Sequence, residues 1–544
     1  GHLYGLMKVS EVNPDYGFKF AYQTDFNYKM PNLKNEVKFV ANLTPMSKTD
    51  TLPQYREKVL KNMDKMFARK DYDEIILAAD ADDEGERIHT DPIKYTKVSL
   101  PKDIKITRFW NTGAYKSNAA VQKAMNERKP ITDIKYTNLL STTMARTLSD
   151  YLVGMTMTKL FTDKTQALFR CGRVLSVLIG MIGRRENEVN NFVPKDYWTI
   201  KGLIKNNSNP IDLNHFYNDV TIDESGKEVK SKATKYFIEE EVNEILDKIK
   251  NANYTGVVES YVKRKSSSRK PKLYSTDEFN TEFMELHKMT LAQSNAHLEW
   301  LRNNGYSTYP RTNGNYFSDT ELSIFNDALD AAKTHFKDKI EDIKKVDSAF
   351  KIDALTTSNP VFNNAKAAKQ NHTPLTILKA LTPSDINKFN THPEHGDGNK
   401  KVKLTKLKEA FELLAMRCLI QVLPDDILAK ETLIVDVAGY KFESNAEIIE
   451  YLGWKKFDDN AKTKSEKTLN FNGKDGDSIK LDEVSTKTEK TRPPLIYTEK
   501  TLLKAMMFPN EALTEEFNNI VDPNEKKAKM GRFKDIKKTL TTSN

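Results

Sequence analysis

The chain is 544 residues long, with 38% hydrophobic and 30% charged residues and a formal net charge of +9. That length exceeds what one hydrophobic core usually holds, so we expect several domains. No stretch is apolar enough to span a membrane and no signal peptide is visible. The two cysteines are too few for a disulfide framework or a four-cysteine zinc site, which fits a reducing cytoplasm. The charge permits nucleic-acid binding without demanding it.

An acidic cluster follows the first strongly apolar stretch of the sequence. Residues 75–79, Ile-Ile-Leu-Ala-Ala, predict a short buried strand, and Asp80-Ala81-Asp82-Asp83-Glu84-Gly85-Glu86 comes directly after it. Carboxylates at the C-terminal end of such a strand lie where open α/β sheets bind ligands, and oxygen-only ligands suit Mg²⁺. A solvated acidic turn is the alternative, and the sequence by itself leaves both open.

A second candidate site is the segment Tyr306-Ser307-Thr308-Tyr309-Pro310-Arg311-Thr312, which lies between two predicted helices. The first helix covers Leu291 to Asn303, with Asn304-Gly305 as its C-cap. The second helix begins after Ser318, and Glu321 is the capping-box partner of that serine. These caps predict that the segment between them is a short connection.

The pair Tyr309 and Arg311 suggests a nucleophile beside a phosphate clamp. We predict that the segment is extended, with Pro310 at a sheet edge, so both side chains share one face. A free phenol has a pKa of about 10 and is a poor nucleophile near neutral pH unless its anion is stabilised. A neighbouring arginine stays charged and can bind a phosphate through two N–H groups. The pair suits attack on a phosphodiester to form phosphotyrosine; an edge-strand tyrosine packed beside a solvated arginine is the alternative.

Composition and periodicity divide the chain into six parts. The predicted parts are α/β over residues 1–157, helical and arginine-rich over 158–200, strand-rich over 201–262, mainly helical over 263–430, strand-rich over 431–490, and a basic end over 491–544. The segment Lys263–Lys270 is predicted to be a flexible basic linker, either a hinge or a solvated loop. A phosphate-binding Gly-x-x-x-x-Gly-Lys-Ser/Thr loop is absent from the sequence, which argues against an ATP-driven motor.

Together these stretches resemble the type IA DNA topoisomerases, and among them the bacterial topoisomerase III branch most closely. Asp80, Asp82 and Glu84 match the Asp-x-Asp-x-Glu-Gly-Glu signature of that family's Toprim domain, and Tyr309-Pro310-Arg311-Thr312 matches the segment of the nucleophilic tyrosine. Further matches, in the family's order, are Arg146, Asp150 and Gly154 in an Arg-x-x-x-Asp-x-x-x-Gly helix, Gly172-Arg173-Val174, Arg185-Glu186-Asn187-Glu188, Tyr197-Trp198, and Pro493-Pro494 with Tyr497-Thr498.

The resemblance implies a fold class and a role for each part of the chain. The fold is expected to be multidomain, α/β plus α+β, with a Toprim-like α/β domain followed by a toroidal core of helical domains and a β-rich arch. Residues 1–157 would form the Toprim-like domain, 158–200 and 491–544 the two parts of a DNA-binding base, 201–262 and 431–490 the two parts of the arch, and 263–430 the helical domain with the tyrosine. The two arch segments are expected to pair.

The resemblance also assigns site residues. Tyr309 is the implied nucleophile, Arg311 offsets charge in the transition state, and Glu84 is implied in catalysis. Asp80, Asp82 and Glu84 are the implied Mg²⁺ ligands. The implied DNA-binding residues are His2, Arg146, Arg170, Cys171, Gly172, Arg173, Val174, Leu175 and His372.

The implied activity is ATP-independent breakage, strand passage and rejoining of single-stranded DNA through a 5′-phosphotyrosine intermediate. Negatively supercoiled or catenated DNA is the expected substrate. The expected protein is a monomer in the cytoplasm, associated with bacterial nucleoid or plasmid DNA. A Toprim-type Mg²⁺-dependent nuclease and an inactive DNA-binding remnant are the alternatives.

The sequence departs from the family pattern at several points. Asp83 stands where the family usually has arginine, Leu175 where it has glutamine, and Asn313 where aspartate is common. His372 lies in a segment that follows the family's histidine motif only loosely. Gly1-His2-Leu3 resembles a motif well inside the Toprim domain, and the preceding strand with a Glu-Lys-Pro-Ser segment is not seen. We therefore expect a chain truncated at its N-terminus and at its C-terminus, with impaired relaxation of plasmid DNA.

Overall fold

The computed structural model describes residues 4–6, 39–41, 52–111, 118–205, 209–222, 228–370, 372–396, 401–458 and 468–507. Its internal contacts define two compact units. The first unit consists of residues 1–183, 307–314 and 365–374, and the second of residues 184–306, 315–364 and 375–544. In the described ranges no helix is long and apolar enough to cross a membrane.

The first unit contains the predicted acidic cluster and the Tyr309 segment. Its elements are β1 (Tyr4–Leu6), β2 (Phe39–Ala41), α1 (Leu52–Arg69), β3 (Glu74–Leu77), α2 (Asp83–Tyr95), β4 (Lys105–Arg108), α3 (Asn118–Asn126), β5 (Lys129–Pro130), α4 (Ile134–Thr165) and α5 (Arg173–Asn190), whose last residues belong to the second unit. β1 pairs with β2, and β3, β4 and β5 form a separate sheet.

The short sheet of the first unit carries the acidic cluster at its edge. β3 and β4 are parallel, with Leu77 opposite Arg108. The apolar run predicted the strand, but the strand ends at Leu77, so residues 78–79 already belong to the connection toward Asp80. In α1, the Phe67 side chain is buried.

Helix α4 is one continuous element of 32 residues. The Asp133 side chain caps it by accepting a hydrogen bond from the Lys135 amide, and Gln166 ends it in the left-handed conformation. The predicted boundary at residue 157 therefore falls inside a helix, because residues on both sides of it continue the same helical pattern.

The second unit contains a large antiparallel sheet and a helical core. Its elements are β6 (Asp196–Ile204), β7 (Ile211–Ile222), β8 (Glu228–Ala233), α6 (Glu239–Asn251), β9 (Thr255–Ser267), α7 (Thr276–His287), α8 (Leu291–Asn303), α9 (Leu322–His335), α10 (Lys337–Val346), α11 (Asn364–Ala367), of which residues 365–367 belong to the first unit, α12 (Pro383–Asn390), β10 (Glu394–His395), β11 (Val402–Lys403), α13 (Leu407–Leu419), β12 (Ile427–Val437), β13 (Tyr440–Tyr451), β14 (Ser478–Lys480), β15 (Glu483–Lys490) and α14 (Glu499–Met507).

Strands from the two distant strand-rich segments pair in one sheet, as expected from the family resemblance. The order among the described strands is β14-β9-β12-β13-β7-β6-β15, with β8 beside β7. The predicted flexible linker at Lys263–Lys270 is wrong, because β9 continues to Ser267 along β12. Lys263 lies opposite Glu431 and forms an ion pair with it at 3.0 Å, so part of the positive charge of the basic run is matched across the sheet.

The helical core of the second unit confirms the local helix signals. α8 begins at Leu291 and ends at Asn303, and Gly305 follows with φ of 75°. The Ser318–Glu321 capping box is present. The connection between these elements is not the predicted extended strand: residues 308–312 include bends and no strand, Tyr309 is buried and Arg311 is exposed. Local sequence marks the helix ends, whereas contacts within the first unit set the path of this connection.

Candidate active site

The acidic connection after β3 is fixed by the start of α2. Asp82 caps this helix, and its Oδ1 accepts a hydrogen bond of 2.6 Å from the Gly85 amide. Gly85 is required here, because a Cβ at this position would lie 1.9 Å from the carbonyl oxygen of Asp80. The other oxygen of Asp82, Oδ2, and the side chain of Asp80 have different partners.

Those partners come from two distant segments of the chain. The Tyr309 hydroxyl donates a hydrogen bond of 3.4 Å to Asp80 Oδ2. His372 Nε2 lies 3.4 Å from Asp82 Oδ2. The rings of Tyr309 and His372 are in contact, with centroids 4.5 Å apart. The structure thus brings together four of the predicted site residues.

Two threonine hydroxyls lock the Tyr309 segment to the His372 segment. Thr308 Oγ1 donates to the Pro374 carbonyl at 3.0 Å, and Thr312 Oγ1 donates to the His372 carbonyl at 3.0 Å. Both threonines are buried. These bonds hold the tyrosine and histidine side by side, so their contact does not depend on an exposed, freely rotating loop.

Electrostatics favour the charged form of Asp82. Burial by itself would raise the pKa of this carboxyl, but hydrogen bonds from His372 and from the Gly85 amide, together with the nearby charges of His372 and Arg108, lower the pKa below its ordinary value. Asp82 is therefore an anion near neutral pH, next to a histidine that also touches the tyrosine.

The third predicted metal ligand has a different neighbour. Arg146 forms an ion pair with Asp83 at 2.9 Å and a second, closer one with Glu84. In the part of the chain that the structure describes, no three His, Cys, Asp or Glu side chains are arranged to hold a metal ion. Asp80 and Asp82 nevertheless offer carboxylate oxygens beside the tyrosine, and Mg²⁺ in proteins is often held by one or two carboxylates together with substrate phosphates. The donor chemistry fits Mg²⁺ with Asp80 and Asp82, without Glu84 in its present position.

Of the predicted DNA-binding residues after α4, Arg170, Cys171 and Gly172 lie in the connection to α5, and Arg173, Val174 and Leu175 begin α5. Arg173 forms a bidentate ion pair with Asp150, with N–O distances of 2.6 and 3.2 Å. The Cys171 amide donates to Thr158 Oγ1 at 2.8 Å. Gly172 lies just before α5 and is partly buried, whereas Arg170, Val174 and Leu175 are exposed. Asp150 follows Arg146 by one turn of α4, so both arginines are held along this helix. His2 lies outside the described residues.

Sequence reasoning missed Arg108, and it named Glu86 only as a member of the acidic cluster. Arg108 is fully buried at the end of β4, and its Nε donates to Glu86 Oε1 at 2.6 Å. The available signal was the alternation of apolar and polar residues over Ile104-Lys105-Ile106-Thr107-Arg108, which is typical of a short strand that ends in a charged residue. The contact itself could not be predicted, since 22 residues separate the partners.

Comparison with known proteins identifies the class to which this fold belongs. The chain matches the solved structure of full-length topoisomerase I from Thermotoga maritima with a TM-score of 0.55 and 18% identity, over 94% of this chain and 70% of that chain. The expected fold class, a Toprim-like α/β domain followed by a type IA topoisomerase core, is confirmed.

Two family models and several relatives define the family more closely. A model described as DNA topoisomerase matches residues 135–509, more than half of the chain, and a Toprim domain model matches residues 20–111. The chain therefore belongs to the type IA DNA topoisomerase family. It is 24% identical over 480 residues to DNA topoisomerase 3 of Bacillus subtilis strain 168, covering 85% of this chain and 59% of that protein. It is 23% identical to DNA topoisomerase 3 of Staphylococcus aureus strain USA300, covering 80% of this chain and 54% of that protein.

The chain spans less than two thirds of the length of these two relatives. Toprim domains generally bind Mg²⁺, which agrees with the oxygen donors of Asp80 and Asp82. The predicted site residues that lie in contact in this structure are Asp80 with Tyr309, Asp82 with His372, and Tyr309 with His372.

Proposed function

We propose that this chain breaks one strand of DNA by transesterification to Tyr309 and later rejoins it without ATP. The observation that carries this proposal is the contact of the Tyr309 hydroxyl with Asp80 beside His372, which assembles residues that are 229 positions apart in the sequence. A buried tyrosine whose hydroxyl meets a carboxylate is placed to lose its proton as it attacks.

In the proposed step, the Tyr309 oxygen forms a bond to phosphorus while the bond from phosphorus to the 3′-oxygen breaks. The phenolic proton passes to Asp80 and a proton from solvent water passes to the leaving 3′-oxygen; Asp80 then returns its proton to solvent, so the exchange consumes no proton overall. The DNA 5′-phosphate remains on the tyrosine, the polarity that the family resemblance implies. Rejoining reverses these changes, and since the phosphotyrosine bond preserves the energy of the phosphodiester, no nucleotide is consumed.

Neighbouring groups would assist this exchange. His372 contacts both the tyrosine ring and Asp82, so it lies within reach of a phosphate bound over Tyr309. Arg311 follows Tyr309 by two residues and is exposed, where its charge can meet a DNA phosphate. Asp80 and Asp82 would hold Mg²⁺ through their oxygens, and the bound cation would offset phosphate charge, chiefly during rejoining. Glu84 would join them only after leaving Arg146.

The proposed substrate is single-stranded DNA within negatively supercoiled or catenated molecules. Arg146, Arg170 and Arg173 would supply the phosphate contacts, with residues 171–175 and His2 beside them. We further propose that the protein acts as a monomer on nucleoid or plasmid DNA in the bacterial cytoplasm. Family membership and the names of the topoisomerase 3 relatives support the choice of DNA as the substrate.

The test is a covalent adduct with a single-stranded oligonucleotide. DNA labelled at its 3′ end is incubated with the protein, the mixture is denatured, and the label that migrates with protein is measured. Tyr309→Phe should form no adduct and should still bind the oligonucleotide, because only the phenolic oxygen is lost. Tyr306→Phe is the matched control: this nearby hydroxyl donates to Asp385 at 2.7 Å, and its removal should leave the adduct intact.

An adduct formed by Tyr309→Phe would contradict the assignment of the nucleophile. Retention of a 5′-end label by the protein, instead of the 3′-end label, would contradict the proposed polarity. DNA cleavage by the parent chain without any adduct would indicate a metal-dependent nuclease.

A further inference from the structure

Arg108 occupies an unusual position for a charged side chain. It is among the fully buried residues of the first unit and lies at the end of β4, opposite Leu77 of β3. Burying a guanidinium is unfavourable unless its N–H groups and its charge are matched. Glu86 supplies the opposite charge at 2.6 Å and is itself buried. The remaining N–H groups donate to backbone carbonyls.

The guanidinium binds the chain as it leaves β3. Its Nη1 donates to the Leu77 carbonyl at 3.2 Å and to the Ala79 carbonyl at 2.9 Å, and its Nη2 donates to the Asp80 carbonyl at 2.6 Å. A third bond from Nη1 reaches the Phe109 carbonyl at 2.6 Å. One side chain therefore fixes the backbone from the strand end to Asp80, whose carboxylate accepts the Tyr309 hydrogen bond.

Glu86, the ion-pair partner of Arg108, links this guanidinium to α2. Glu86 lies in the first turn of this helix, and its amide donates to the Asp82 carbonyl at 3.2 Å. Asp82 caps α2 and faces His372. The Arg108–Glu86 pair thus joins the connection that carries Asp80 to the helix start that carries Asp82.

We infer that Arg108 is a positioning residue that, with Glu86, holds Asp80 against the Tyr309 hydroxyl and Asp82 against His372. The inference rests on the proposed function, because it concerns the geometry of the proposed transesterification. Arg108 does not touch the reacting atoms; it acts through the backbone of the connection after β3. Its loss should therefore affect the rate of the chemical step and not the affinity for DNA.

The experiment compares three variants with the parent chain. Arg108→Met removes every donated bond, Arg108→Met with Glu86→Met also removes the carboxylate that would otherwise be left buried without its partner, and Arg108→Lys keeps the charge with fewer donors. The matched control is Arg87→Met with Asp91→Leu, because Arg87 forms a buried ion pair with Asp91 at 3.0 Å on the same helix and donates to Thr147 on α4.

Three quantities separate positioning from simple stability. They are the dissociation constant for a single-stranded oligonucleotide, the single-turnover rate of adduct formation at saturating DNA, and hydrogen exchange of peptides covering residues 77–86. We expect both Met variants at Arg108 to form the adduct about 100-fold more slowly, since displacement of a reacting group by about 1 Å can have that effect. DNA affinity should be unchanged, exchange at residues 77–86 should rise, and Arg108→Lys should recover part of the rate.

The control variant should unfold more readily yet keep the adduct rate of the parent. An unchanged rate in the folded Arg108→Met, Glu86→Met protein, or an equal loss of rate in the control, would overturn the inference. If the parent forms no adduct, the proposed function fails, but hydrogen exchange still tests the inference. Unchanged protection of residues 77–86 in the Arg108 variants would show that Arg108 does not hold this segment in place.

Discussion

Replacement of Gly85 by alanine should slow adduct formation strongly while changing stability only modestly. The new Cβ would lie 1.9 Å from the Asp80 carbonyl oxygen, about 1.5 Å short of the 3.4 Å at which ordinary contact begins. The clash is with a backbone oxygen, so it can be relieved only if the connection after β3 or the start of α2 moves. A shift of this size would separate Asp80 from the Tyr309 hydroxyl, and about 100-fold in rate is expected.

The stability change is the balance of two opposed effects. Alanine in a helix is favoured over glycine by about 1 kcal/mol, whereas overpacking a tight site costs about 1–3 kcal/mol. Gly180→Ala in α5 is the control, because a Cβ there meets no atom within 4 Å. Single-turnover adduct formation and urea unfolding are measured for parent and both variants. A Gly85→Ala protein that forms the adduct at the parental rate would refute the reasoning that this contact sets the geometry of Asp80.

Two further predictions concern the exposed Arg173–Asp150 pair and Asp385, the carboxylate that accepts a hydrogen bond from the Tyr306 hydroxyl. Arg173→Ala should weaken binding of single-stranded DNA and lower its salt dependence, whereas Asp150→Asn should strengthen binding by releasing the guanidinium; equal affinities in fluorescence anisotropy would contradict the role of Arg173. Burial by itself would raise the pKa of Asp385, but hydrogen bonds from Tyr306 and Thr382 lower this pKa overall. The charged carboxyl therefore stabilises the folded protein above the ordinary carboxyl pKa of about 4, and this stabilisation is lost as the pH falls below that value toward the lower pKa of the folded state. Urea unfolding should therefore show a larger loss of stability between pH 5 and pH 3 in the parent than in Asp385→Asn; equal losses would contradict this.

Features encoded by neighbouring residues could be predicted from the sequence. The bounds of α8 and the Ser318–Glu321 capping box follow from side chains that bond to backbone three or four residues away. The position of the acidic cluster after β3 follows from one apolar run. Family motifs added Tyr309 and His372 as candidates, and the structure shows these two side by side.

Features that depend on distant contacts could not be predicted in this way. Glu84 carries the family spacing of a metal ligand, yet Arg146, 62 residues later, binds it. The basic neighbours of Lys263 predict a linker, but Lys263 lies in β9 and pairs with Glu431 on the opposing strand β12. Spacing and composition contain no information about such partners, and the same reason explains why the role of Arg108 was missed.

The charges around Tyr309 explain why the proposed chemistry calls for a cation. Arg108 is matched by Glu86, and Arg146 is matched by Asp83 and Glu84, so these two guanidinium groups are largely neutralised within the protein. Asp80 and Asp82 remain directed at the tyrosine and the histidine, and the lowered pKa of Asp82 keeps its carboxyl charged. A DNA phosphate brought to Tyr309 adds another negative charge at short range, where repulsion is poorly screened. Arg311 and a divalent cation held by the two carboxylates are the groups that can offset it, which is why the proposal assigns Mg²⁺ to Asp80 and Asp82 even though Glu84 is held elsewhere.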